Sequence, residues 1–452
     1  MKKILSYILI FTITFTSVLC YTDTQVHAAK QSEAVWPASS ALYGEAAVLI
    51  EASTGTILYE KKCHQKMYPA SITKIMTALL TIENCSLDET VTFSENAVNS
   101  LSYDDANIGC LVGEQMSVKE CLYALMLSSA NEVATALGEH IAGSTAKFAD
   151  MMNERAKQAG AKDTHFVNAN GLHDENHYVT AYDMAMITRD ASQYPLFNEI
   201  VNSTTYTIKK NNKRKESFTS YQRHKMVWPT SGYYYDGIIG GKTGFTDQSG
   251  TTLVTYAKRN GMTIIAVVLK SNGNNVYNDT KILLDYGFNN FNLVNVSEND
   301  SRFSENNVSS LKSPFCSNKE SIYIDKDSNV VIPKTAKFSQ LTATFNFKNT
   351  EDSFATINYT FGDRTVGTAK VKYEIVDCSS TDTDTENTST EETTITETKK
   401  DNATDSSASF KIPKFLLPAA IVVAVIIIIL IFITIQKRRL ERIRAMKRKR
   451  NR

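Results

Sequence analysis

The chain has 452 residues, more than one folded unit needs, so two domains with accessory segments are expected. Its 49 Lys and Arg against 48 Asp and Glu give a formal charge of only +1, but the charge is unevenly spread. Between Ala29 and Gln436 there are 37 basic and 46 acidic side chains, which removes any electrostatic case for nucleic-acid binding by the body of the protein.

In chain order, residues 1–28 read as a secretory signal: Lys2 and Lys3, an apolar run from Ile4 to Leu19, and Val26-His27-Ala28 as a small-residue cleavage site. Residues 36–290 form the expected main domain. It opens on a hairpin pattern, Ala47–Ile50, a turn at Ser53-Thr54-Gly55, then Thr56–Tyr59. Pro69-Ala70-Ser71 leads into Ile72, Ile75, Met76, Leu79 and Leu80, the spacing of one buried helix face. Ser117 and Glu120 predict a capping box opening a helix through Val118, Leu122, Leu125 and Met126. That helix breaks at Ser128-Ser129-Ala130-Asn131, and another begins near Glu132. A second hairpin, Thr251–Ala257 and Met262–Leu269, closes around Asn260-Gly261. Strands at both ends with helices between them predict an α+β domain with a largely antiparallel sheet.

Residues 296–377 read as a small all-β domain, with alternation at Ser321–Ile324, Thr342–Asn346, Thr356–Phe361 and Ala369–Ile375, and turns at Gly362-Asp363 and Gly367. Residues 378–410 are a Thr, Ser and acidic stretch too polar to bury a core, so a disordered stalk is expected. Residues 415–435 are 21 uncharged, Ile- and Val-rich positions, long enough for a transmembrane helix. The tail, residues 436–452, contains ten Lys or Arg, which predicts a cytoplasmic tail and an extracellular body. Past the signal, Cys63, Cys85, Cys110, Cys121, Cys316 and Cys378 show no Cys-x-x-Cys pair and no His at zinc spacing, so neither metal nor cofactor is expected.

Three short words carry chemistry: Ser71-Ile-Thr-Lys74, Ser129-Ala-Asn131 and Lys242-Thr-Gly244. Singly they are weak, since Ser-x-x-Lys recurs at Ser144–Lys147 and Ser309–Lys312, and each has an ordinary reading as a helix start, a capping turn or a surface turn. Their order and settings say more. Ser71 and Lys74 sit one helical turn apart, so a lysine kept neutral by burial and a nearby cation can act as base for the serine. Ser129 and Asn131 fall in a helix break that can face a cleft. Ser129 is placed to pass a proton to a departing amine, and Asn131 to orient Lys74 and a substrate amide. Lys242 and Thr243, beside Gly240, Gly241 and Gly244, open a strand against which a peptide can lie.

With the words in this order the chain resembles the serine-type D-alanyl-D-alanine carboxypeptidases, the low-molecular-mass penicillin-binding proteins, from about Ala47 to Phe288. Tyr68–Leu80, Phe166–His173, Thr180–Ala185 and Leu283–Phe288 are similar to further family segments. The resemblance implies a penicillin-binding-protein/β-lactamase-like transpeptidase fold and an acyl-enzyme at Ser71, with Lys74 as base and Ser129 as proton relay. Asn131, Lys242, Thr243, Gly244, Phe245 and Thr246 would bind substrate, the backbone N–H groups of Ser71 and Phe245 forming the oxyanion hole. The implied partners are a peptidoglycan stem peptide ending in D-Ala-D-Ala, β-lactams as covalent inhibitors, and the membrane. Many family members have an Arg just before the Leu-Leu-Asp-Tyr-Gly-Phe segment; here Ser271–Asn278 has none, so carboxylate binding is left to Lys242, Thr243 and Thr246. His173 and His177 stay outside the catalytic set. A β-lactamase would need a Glu-x-x-Leu-Asn motif, which the chain lacks. A DD-endopeptidase or an inactive penicillin sensor uses or keeps the same words.

Overall fold

The computed structural model describes residues 35–303, 319–347, 353 and 355–376. The expected signal, stalk, apolar run and basic tail, with Cys316 and Cys378, lie outside these residues. Among the described residues no helix is long and apolar enough to cross a membrane.

The first hairpin is β1 (Ala46–Glu51) and β2 (Ile57–Lys61). Two short ribbons follow in the middle of the chain, β3 (Thr90–Thr92) with β4 (Gln115–Ser117) and β5 (Thr205–Ile208) with β6 (Phe218–Tyr221). Then come β7 (Ile238–Thr246), β8 (Gly250–Arg259) and β9 (Met262–Ser271). The main sheet is antiparallel in the order β2-β1-β9-β8-β7, so the two ends of this segment meet at its centre. Its strand β1 is buried at every position because both faces are covered, which is why it reads as a continuous apolar run. Val48, Ile50, Val254, Ile265 and Val267 pack with the helices of one face; Ala47, Leu49, Leu253, Ile264 and Val268 pack on the other. The β8–β9 turn has Asn260 and Gly261 both at positive φ, 49° and 80°, as a two-residue hairpin with Asn-Gly requires.

Among the described residues the helices are α1 (Lys74–Asn84), α2 (Glu95–Asn99), α3 (Val118–Tyr123), α4 (Asn131–Ala142), α5 (Thr145–Gln158), α6 (Ala181–Ala191), α7 (Pro195–Asn202), α8 (Asn275–Asn290) and the short α9 (Val296–Asn299). A 3-10 turn, Ala70–Thr73, precedes α1, and its residues Ile72, Ile75, Met76, Leu79 and Leu80 are all buried, as their spacing predicts. Burying five such side chains contributes on the order of 10 kcal/mol before ordering entropy is subtracted. The capping box on α3 is present: Ser117 Oγ accepts from the Glu120 N–H and Glu120 accepts from the Ser117 N–H. Beyond α3 the chain forms a π turn, Ala124–Ser128, which helical periodicity does not distinguish from a continued α-helix. Together these elements make an α+β fold, an antiparallel sheet flanked by helices.

A second, six-stranded antiparallel sheet contains β10 (Phe291–Asn295), β11 (Lys319–Ile324), β12 (Asn329–Pro333), β13 (Thr342–Asn346), β14 (Ala355–Phe361) and β15 (Arg364–Val376). Sequence periodicity marks β11, β13, β14 and part of β15, but not β10 or β12. Gly362 does turn the chain, at φ 60°. Gly367 does not: it lies within β15 opposite Val330 of β12, where a Cβ would meet the Asn329 carbonyl oxygen at 2.5 Å. The expected turn glycine is a crossing-point glycine instead. β10 follows α8 with no intervening residue, and Phe291 and Val331 belong to the same core as α8.

Candidate active site

Ser71 lies in the 3-10 turn that feeds α1, and Lys74 is the first residue of that helix. Lys74 Nζ is 2.9 Å from Ser71 Oγ, 2.6 Å from Asn131 Oδ1 and 2.5 Å from the Asn170 carbonyl oxygen. The side chain is fully buried. Burial above all, and then the charge of Lys242, hold its pKa well below the ordinary lysine value, against a weaker pull from Glu132. The neutral amine has two N–H donors and one lone pair. Asn131 Oδ1 and Asn170 O are acceptors only, so they take the two hydrogens and leave the lone pair facing the Ser71 hydroxyl. That is the arrangement of a base beside a nucleophile.

Asn170 reaches the site because the loop 168–173 is locked onto the nucleophile turn. Gly171 has φ 85°, and a Cβ there would sit 1.9 Å from the Ala70 carbonyl oxygen. Thr77 Oγ1 donates to Ala169 O at 2.6 Å. Ala70 itself has φ 52°, uncommon for a residue with a Cβ, and sets the turn at the nucleophile. His177 accepts the Val167 N–H on Nδ1, so its Nε2–H donates to Thr73 Oγ1, at 2.9 Å. Burial pushes its pKa down to about 3, so it is a neutral brace for the turn. His173 lines the cavity wall, edge-on to Tyr68.

Ser129 ends the π turn with φ 62°, a left-handed conformation held by the packed segments on either side. It is buried, and its Oγ lies 3.0 Å from Lys242 Nζ. Lys242 comes from β7, is buried, and also donates to Thr243 O at 2.9 Å. Burial and then the Arg223 charge push its pKa down to about 7. Gly244 allows β7 to press on the nucleophile turn: a Cβ there would be 2.9 Å from the Ser71 backbone N and 3.0 Å from Pro69 O. Thr252 of β8 fixes the same turn by donating to Pro69 O.

A cavity of about 500 Å³ is lined by Ser71, Ser129, Asn131, Thr243, Gly244 and Arg223, with Phe245 and Thr246 on its wall. Phe245 is exposed. The Thr246 hydroxyl donates to Ser249 Oγ at 2.9 Å and accepts the Ser249 N–H, closing the turn between β7 and β8. A slightly larger recess, about 590 Å³ between Glu51, Arg189 and Tyr256, shares no residue with this cavity.

The cavity also contains a cation that sequence reasoning missed. Ser271–Asn278 has no Arg, but Arg223, from the segment after β6, lines the cavity with Tyr277 of α8. Its neighbours hold it there: Gln222 donates to Val201 O, and His224, with a pKa pushed down to about 3 by burial and then Lys242, bonds Thr255 Oγ1 at 2.7 Å. In the fold, buried Gln222 and His224 flank the exposed Arg223, which no motif in the sequence marks. Asp104 and Asp105 line the cavity too, on the 100–111 loop that Glu132 fastens by accepting the Ile108 N–H.

A serine beside a buried lysine, a second buried hydroxyl and a cationic strand within one cleft of an α+β fold make the arrangement of a serine acyl-transfer site. Residues 31–273 match the family described as D-alanyl-D-alanine carboxypeptidase, and the chain belongs to that family. It is similar to D-alanyl-D-alanine carboxypeptidase DacF of Bacillus subtilis, 35% identical over 229 residues, 50% of this chain and 56% of the relative. It is also similar to DacA of Haemophilus influenzae, 32% identical over 278 residues, 58% of this chain and 66% of the relative. These matches therefore span less than two thirds of either relative's length. Among solved structures, the Streptomyces K15 DD-transpeptidase is 26% identical with a TM-score of 0.52, covering 56% of this chain and 100% of that one. Penicillin-binding protein 5 of Haemophilus influenzae is 25% identical with a TM-score of 0.58, covering 75% and 100%.

Proposed function

We propose that this protein is a serine-type D-Ala-D-Ala carboxypeptidase that removes the terminal D-alanine from peptidoglycan stem pentapeptides. The observation that carries this reading is the Lys74 amine, whose two acceptor-only partners leave its lone pair on Ser71. Ser71 Oγ attacks the carbonyl between the last two D-alanines while Lys74 takes its proton. The Ser71 and Phe245 N–H groups hold the oxyanion. The C–N bond breaks, and D-alanine leaves with a proton delivered through Ser129, which Lys242 contacts. Water then cleaves the ester, restoring Ser71 and releasing the shortened peptide.

Lys242, Arg223 and Thr243 hold the substrate's terminal carboxylate, with Asn131 on its amide; Thr246 contributes mainly by fixing the turn beside them. β-Lactams enter the same cleft and acylate Ser71. Residues 296–377 serve as a spacer or docking domain, residues 378–410 as a stalk and residues 415–435 as a membrane anchor. The catalytic domain then works outside the cell, close to nascent wall. Carboxypeptidase action is tested by D-alanine release from a stem-pentapeptide mimic. Intact-mass analysis after benzylpenicillin should show one adduct, on the peptide containing Ser71. An adduct persisting in Ser71→Ala would overturn the assignment.

A further inference from the structure

The helices that start with Lys74 and Asn131 also converge at their other ends. Cys85 caps the C-terminus of α1, Glu89 lies four residues on, and His140 is in the last turn of α4. Cys85 Sγ, a Glu89 carboxylate oxygen and a His140 ring nitrogen all lie within 4.8 Å of one another. The Glu89 Oε2 to His140 Nε2 distance is 3.1 Å. Bonds of about 2.1 Å at tetrahedral angles give ligand–ligand edges of roughly 3.4 Å, so the pair is already near the separation a bound zinc demands. Glu89 is held in this pose, because its Oε1 accepts the Ser86 N–H at 2.5 Å and leaves Oε2 toward the imidazole.

We propose that Cys85, Glu89 and His140 bind a Zn²⁺ ion, with water as the fourth ligand. A thiolate, an imidazole and a single carboxylate select a borderline ion such as Zn²⁺ over Mg²⁺ or Ca²⁺, which prefer all-oxygen sites. A divalent cation beside Cys85 would favour the thiolate, and binding releases the Cys85 proton to solvent. The ligands come from segments 51 residues apart in sequence at Glu89 and His140, which is why Cys and His spacing did not reveal them. Helix α1 is on the order of 16 Å long, so the ion is a brace between the ends of α1 and α4 and not a reactant. Its effect on catalysis would run through the Lys74–Asn131 separation at the opposite ends.

The test uses purified full-length protein, stripped of metal with a chelator and titrated with Co²⁺ alone. One equivalent should give the sulfur-to-cobalt charge-transfer band, and Zn²⁺ should displace it. Saturating Zn²⁺ should raise Tm by roughly 5 °C, while Mg²⁺ and Ca²⁺ should not. Cys85→Ser should abolish the band yet still be acylated by benzylpenicillin, showing that the variant folds. His140→Ala and Glu89→Gln should weaken Co²⁺ binding at least about 10-fold, and they carry the test if Cys85→Ser does not fold. No band in the wild type, a band surviving in Cys85→Ser, or equal Zn²⁺ stabilisation of wild type and His140→Ala overturns the site.

Discussion

A lysine is a base near neutral pH only if its proton is driven off, and Lys74 is set up for this twice over. Full burial penalises the ammonium, and Lys242 opposes a second positive charge beside it. Free lysine titrates near about 10.4, so the depression is functional in sign. The acylation rate by benzylpenicillin should therefore rise with pH as Lys74 loses its proton. It should fall again once Lys242, with a pKa of about 7, loses the charge that binds carboxylate. In Lys242→Arg the guanidinium stays charged, so the falling limb should move up beyond about pH 9. A limb that stays in place would mean another group sets it. Lys74→Ala should lose at least about 100-fold in acylation at saturating ligand, whereas Lys242→Ala should lose mainly affinity. Stopped-flow acylation across pH separates the two.

At the scale of elements, the site is a junction of four backbones: the turn before α1, the loop 168–173, the π turn before α4, and β7. Gly171 makes the tightest of these contacts. In Gly171→Ala the new Cβ would collide with a backbone carbonyl at a positive φ, so no side-chain movement relieves it. Stability should fall by more than about 2 kcal/mol, with acylation reduced further because Asn170 O moves off Lys74. Urea melts and penicillin labelling of the folded fraction measure both. An unchanged melt would mean the loop is not locked to Ala70. Much of this junction is legible in sequence, since motif order brings Ser71, Lys74, Ser129 and Lys242 together and apolar spacing marks α1 and both hairpins. What escapes has long-range causes. Arg223 reaches the cleft through the folding of its flanking residues, β12 is read as a strand only once β10 pairs with it, and Gly367 looks like a turn until β12 crosses it.

For the whole molecule, every side chain assigned to chemistry comes from residues 71–246, far in sequence from the polar stretch 378–410 and the apolar run 415–435. A fragment from Ala29 to Val376 should thus hydrolyse a soluble pentapeptide about as fast as full-length protein in detergent, and only full-length protein should fractionate with membranes. A fragment that binds penicillin but has lost peptide hydrolysis would refute that division of labour. The join between the two sheets bears on the same question. Helix α8 ends at Asn290 and β10 begins at Phe291; Lys334 reaches back to Phe288 O and Asn290 O, and Trp36 packs at a tilt against Phe291. A junction with no spare residue and a shared core is not a hinge. Whatever grips the second sheet therefore turns the mouth of the cleft as well, so that aim, and not reach alone, is built into the molecule.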